Sequence, residues 1–230
     1  NAARHAGGAT PVAIDRSEAY LGVLIDDLTT LGTTEPYRML TSRAEYRLQL
    51  RADNADQRLT DRGLAWGCVG AERARAWAAK SAALTEARAL AASLRASPQQ
   101  LARAGIAVNA DGIMRSAGDL LALPGIDLPR LATLWPELGD IRPDVAEQLE
   151  IDARYRGYLS RQEADIRTHR EDAGLALPVE LDYLAMTALS MEMRQKLAAT
   201  RPATLAQASR IPGITPAALA ILLRHARRAA

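Results

Sequence analysis

The sequence predicts an all-α protein: a larger helical region, then a small C-terminal helical bundle, with one minor β-hairpin near 106–114. Three observations carry this. Apolar residues recur at helical spacing through most of the chain. Ser, Thr and Pro stand where helix starts need them, and Gly stands where helices stop. Alternating strand patterns are nearly absent.

Taken in order, Ser17 caps a stretch with Leu21, Leu24, Ile25 and Leu28 on one face, and Gly32 follows its end. Ser42 and Glu45 have capping-box spacing and predict a helix through the following arginines. Residues 70–95 predict a long amphipathic helix, with Trp77, Leu84, Ala91 and Leu94 near heptad spacing. Pro98 starts a short helix that stops at Gly105. Asp111-Gly112 reads as a tight turn, with Ile106–Val108 and Ile113–Met114 as its strands. Two short helices flank LPGI within 116–135. Pro143 opens a long helix to about Ala173, with Ile151, Tyr155, Tyr158, Leu159 and Ile166 on its apolar face. GLALP, 174–178, breaks it. Ser190, Thr204 and Thr215 then cap helices near 190–200, 203–210 and 216–228.

A net charge of +2 excludes a global polycation, so any nucleic-acid surface must come from local clustering. Arginine supplies nearly all the positive charge; Lys80 and Lys196 are the two lysines. Cys68 is the single cysteine, which excludes a disulfide framework and fits a reducing cytoplasm. It is expected to be a small buried hydrophobe near Trp66. The three histidines lie far apart without ligand spacing, so no metal site is expected. No apolar run approaches the ~20 residues of a membrane span. No glycine-rich dinucleotide loop, P-loop or nucleophile–base arrangement occurs, so no catalytic residue is assigned. Asp26-Asp27 is expected to cap a helix or pair with Arg38 or another arginine.

Arg38, Arg43, Arg47, Arg51, Arg58 and Arg62 crowd one window with Tyr37 and Tyr46. On a helix, Arg43, Arg47 and Arg51 step by four and share a face. Such a stripe tracks a phosphate backbone, and the tyrosines stack on bases. The competing reading is a strut, with Glu45, Asp53, Asp56 and Asp61 neutralising four of the six arginines. Both readings stay open on the residues alone. RIPGIT, 210–215, resembles the helix-hairpin-helix turn of DNA-binding proteins, but Thr215 stands where that motif has a second glycine. The residues around it suit a helical module that docks a partner.

The stretch AYLGVLIDDLTTLGTTEPYRMLTSRAEYRLQLRADNADQRLT resembles the signature of the large subunit of the bacterial tRNA wobble-uridine modification enzyme, the MnmG or GidA family. QLEIDARYRGYLSRQ at 148–162 and LAQASRIPGITPAALAILL at 205–223 continue the resemblance, and NAARHAGG is similar to the end of the family's flavin domain. The resemblance implies that this chain is the C-terminal portion of such a protein. Residues 1–15 would be the tail of a preceding FAD-binding domain, 16–177 a helical domain, and 178–230 a small partner-docking domain. FAD and NADH would be bound mainly by the preceding domain and none by this chain, which would be inactive alone. The family acts as a homodimer with a GTPase, MnmE, on the tRNA anticodon arm, drawing a carbon from methylenetetrahydrofolate. The implied RNA contacts are Arg38, Arg43, Arg47, Arg51 and Arg58, with Tyr37 and Tyr46. The implied partner contacts are Arg210, Ile214, Leu219, Leu222 and Leu223. The alternative is a helical scaffold without direct RNA contact.

Overall fold

The computed structural model describes residues 1–30, 32–173 and 175–229, and the side chains of these except 160, 161, 164, 165, 167–173 and 227–229. The regular structure of the described chain is helical apart from one two-stranded antiparallel ladder and a single antiparallel bridge between Ala176 and Thr204. It divides into two compact units, one formed by 1–50 with 161–230, the other by 51–160.

The continuous unit contains α3 (Ala55–Ala65), α4 (Ala71–Ser93), α5 (Pro98–Arg103), α6 (Ala117–Leu120), α7 (Leu128–Ala132) and the first part of α8 (Pro143–Ala173). Its core gathers Leu84, Ala87 and Ala91 from α4, Leu101 from α5, Leu120 and Leu121, Leu131 from α7, and Val145 and Leu149 from α8. Those on α4 are spaced three and four apart, the periodicity that makes the helix amphipathic. Ser97 and Ser116 each close a full capping box, with Gln100 and Asp119 as the reciprocal acceptors.

The small ladder is displaced from its expected place. Its strands are β1 (Arg95–Ala96) and β2 (Arg115–Ser116), with Arg95 opposite Ser116. The Asp111-Gly112 turn forms between them: Gly112 has φ of 73° and the Asp111 carboxylate accepts from the Ile113 N–H. Ile106 is instead buried in the helical core, which leaves 106–108 no strand partner.

The discontinuous unit holds α1 (Ala2–Ala6), α2 (Tyr20–Thr30), and a terminal bundle of α9 (Met191–Thr200), α10 (Leu205–Ser209) and α11 (Pro216–Ala229). Ser190 and Thr204 accept from Met193 and Gln207 N–H groups, and Thr215 accepts from Ala218, as cap residues do. The bundle core joins Leu177, Tyr183, Leu189, Leu197, Ala208, Ile211, Ala218 and Leu222. The break at GLALP begins at Gly174, outside the described residues; Leu175 and Leu177 beyond it pair with the chain at 203–205.

Ser17 does not cap α2. It precedes the helix start, its buried hydroxyl without a hydrogen-bond partner among the described residues. It lies in a turn before the helix, where the Asp15 carboxylate accepts from Ser17 N–H and Glu18 accepts from Asp15 N–H. Gly22 lets this entry segment lie against α2, since a Cβ there would sit 2.2 Å from the Asp15 carbonyl oxygen.

Truncating fully buried Leu101 to Ala is expected to cost about 2–5 kcal/mol, and Ser116→Ala about 1 kcal/mol. Urea titration checks both, and near-zero changes would contradict the assigned core and cap.

Candidate functional site

The arginine-rich segment is not one helical stripe. Residues 41–43 form a single 3-10 turn and 46–50 a second turn, with backbone bonds from Ala44 to Thr41 and from Leu50 to Tyr46. The Ser42–Glu45 capping box is absent, and the Glu45 carboxylate it would use is bound by Arg16 instead. Arg16 donates to Glu45 at 2.8 Å and to the Arg43 carbonyl at 3.0 Å, the oxygen an α-helix would offer to Arg47.

Arg16 is the centre of the unit's polar core, its side chain only 6% exposed. It donates to Asp26 at 2.9 Å and to Asp27 at 2.6 Å. Asp26 in turn accepts from Arg210 at 2.6 Å, and Asp27 from the Tyr37 hydroxyl at 2.6 Å. Arg43 stacks 4.8 Å from the centre of the Tyr37 ring and lies 3.6 Å from Asp27. Burial alone would raise the Asp27 pKa, but hydrogen bonds from Tyr37 and Arg16 outweigh it and hold the carboxyl below its usual value. Burial and the bond to Asp27 raise the Tyr37 hydroxyl. Burial disfavours the charged Arg16 guanidinium, yet its bonds to Glu45 and Asp27 raise its pKa well above the usual value. The expected pairing of Asp26-Asp27 with arginine is present, through Arg16, Arg43 and Arg210 rather than Arg38.

Arg38 and Arg47 are exposed and make no ion pair or hydrogen bond among the described residues. Tyr46 is half-buried against Val23, Ala44 and Leu50, so part of its ring is packing. In the terminal bundle, Arg210 ends α10 and is paired as above, and Leu222 is wholly inside the core. Ile214, Leu219 and Leu223 are half-buried along its margin.

The other arginines belong to the continuous unit. Arg51 is 9% exposed, paired with Asp53 at 2.9 Å and Asp152 at 3.4 Å, and lies 4.4 Å over the Tyr155 ring. The bond from Arg51 holds the Asp53 carboxyl below its usual value. Arg58 donates to Asn54 and to the Arg51 carbonyl. Arg62 stacks 5.0 Å from the Trp66 ring centre. Tyr158 is 66% exposed and not part of an apolar face. Cys68 is exposed rather than buried, because it follows the tight turn at Gly67 that ends α3. Among the described residues no group of three metal-ligating side chains occurs, and no helix is long and apolar enough to cross a membrane.

This geometry defines an all-helical module with a buried arginine–carboxylate cluster and a small terminal bundle. Two family profiles match it: residues 71–163 match "tRNA modifying enzyme MnmG/GidA C-terminal helical domain", and 165–230 match its "C-terminal helical bundle". The tRNA uridine 5-carboxymethylaminomethyl modification enzyme MnmG of Granulibacter bethesdensis is 50% identical over 99% of this chain and 36% of that protein. The same enzyme of Geobacillus thermodenitrificans is 43% identical over 97% of this chain and 36% of its own length. The structure of Aquifex aeolicus GidA in its form II crystal superimposes with a TM-score of 0.81 at 35% identity, covering 98% of this chain and 36% of that one. The chain belongs to the MnmG/GidA family and corresponds to its C-terminal helical part. It spans about a third of the length of the curated relatives it matches.

Replacing Arg16 by Met is expected to cost about 3–5 kcal/mol, because it strands buried carboxylates. Asp27 adds a pH dependence. Its folded pKa lies below the ordinary 3.8, so its stabilisation is complete above that value and is lost as pH falls through the lower folded value. Asp27→Asn should therefore flatten the acid limb of a stability-versus-pH curve, and an unchanged limb would contradict the assignment.

Proposed function

We propose that this chain is the RNA-contacting and partner-docking region of an FAD-dependent enzyme that installs (carboxymethyl)aminomethyl groups at carbon 5 of the wobble uridine of tRNA. The observation that carries the RNA role is the pair of exposed, uncommitted cations, Arg38 and Arg47, flanking the buried Arg16 cluster. A rigid, desolvated base with free guanidiniums beside it suits bidentate contact with phosphates. Arg43, which is exposed and stacks on Tyr37, is the third candidate, with the Tyr37 ring as a platform beneath it.

Docking of the GTPase MnmE is assigned to the terminal bundle, with Ile214, Leu219 and Leu223 at its margin as the contacts. Homodimerisation, a cytoplasmic location and the use of FAD and NADH are proposed for the whole protein. No glycine-rich dinucleotide loop occurs in this sequence, and binding of the flavin is assigned mainly to the preceding domain. A second reading, a scaffold without RNA contact, is favoured by Arg51 and Arg58, whose guanidiniums are engaged within the protein.

Fluorescence anisotropy with an anticodon stem-loop at several salt concentrations separates the two. Arg38→Ala and Arg47→Ala should each lower the slope of log K against log salt by about 0.7–0.9, with melting temperature unchanged. Unchanged slopes for both variants would favour the scaffold. Arg51→Ala should instead lower the melting temperature.

A further inference from the structure

We propose that the groove between α4 and the start of α8 is a docking surface for a basic amphipathic helix of a partner protein. The groove lies within the continuous unit and has a volume of about 400 Å³. Half-buried Ala83 and Leu90 form one wall, with buried Ala87 between them at the base, stepping by four and three along a single face of α4. Half-buried Ile141 forms the other, above Val145, which belongs to the core beneath. The alanines are what make the trough, since their short side chains leave room between α4 and the turn before α8. The apolar wall runs about two helical turns, roughly 10 Å. That length suits partner side chains placed at i, i+3 or i+4, and i+7.

The rim names the partner's charge. Glu86, Glu137 and Asp140 line it, all exposed, and none makes an ion pair or hydrogen bond among the described residues. The cations nearby are already committed. Arg142 donates to Asp144 at 2.6 and 2.8 Å, and Arg88, next to the rim on α4, donates to Asp152 and Gln57. Three uncompensated carboxylates around an apolar floor repel a phosphate backbone and attract lysine or arginine. The occupant is therefore a polypeptide with apolar residues on one side and basic residues flanking them. The proposal is independent of the RNA reading, because the acidic rim gives this face the opposite preference.

The test is binding of a labelled leucine–lysine amphipathic peptide of about four helical turns to the 230-residue protein by fluorescence anisotropy. A peptide of the same composition, scrambled so that leucine is spread around the helix, is the comparison. The amphipathic peptide should bind at least about tenfold more tightly than the scrambled one. Glu86→Lys with Glu137→Lys should weaken it by at least that factor, and Ala83→Trp, which fills the trough, should do the same. The charge reversals sit at exposed positions, so their thermal melts should match the parent and binding alone should change. Equal binding of the two peptides would overturn the proposal. So would unaltered binding by the charge-reversed double variant.

Discussion

The buried guanidinium of Arg16 is the constraint on which the discontinuous unit depends. A guanidinium cut off from water must place its donors on acceptors or bear the full desolvation penalty. Arg16 does so by drawing Asp26 and Asp27 from α2, and Glu45 and the Arg43 carbonyl from the following segment. The Arg43 carbonyl faces Arg16, and the chain through 42–50 makes two separate turns and not one continuous helix. Asp27, fixed on one side by Arg16, can then hold Tyr37, and Tyr37 in turn supports Arg43.

The same residue type stands in two different environments in this protein. Arg16, Arg51 and Arg210 commit their donors to carboxylates in partly or fully desolvated places. They are braces, and removing one partner leaves the other charged and buried. Arg38 and Arg47 are committed to nothing among the described residues. Within the arginine-rich window, engaged and uncommitted arginines therefore have to be told apart residue by residue. Sequence spacing alone does not separate the two kinds, since both alternate within a few positions.

Much of the architecture was legible because it rests on local rules. The long helices α4 and α8 follow apolar periodicity and their Gly and Pro boundaries, and α9, α10 and α11 follow Ser190, Thr204 and Thr215. The family was legible from the long motif at 19–60. The parts that local rules miss all depend on distant partners. In place of the expected helix through 42–50, the Arg43 carbonyl and the Glu45 carboxylate are bound by an arginine 27 residues before Arg43. The ladder lies at 95–96 and 115–116 because Ile106 goes to the helical core instead. Residue type and spacing place Cys68 and Tyr158 in the interior, and neither rule knows which helix face has a neighbour.

The Arg210–Asp26 pair has a practical consequence for how this polypeptide can be divided. The carboxylate that pairs with Arg210 in the terminal bundle is supplied from a position 184 residues earlier in the chain. A shortened protein beginning at residue 71, where the first family profile begins, would keep every helix of the bundle and yet discard that carboxylate. Domain boundaries drawn from profile matches would thus leave a cation at the end of α10 with its counter-ion removed. A truncated chain meant to preserve the bundle's native surface needs α2 as well, carried either on the same polypeptide or supplied as a separate segment.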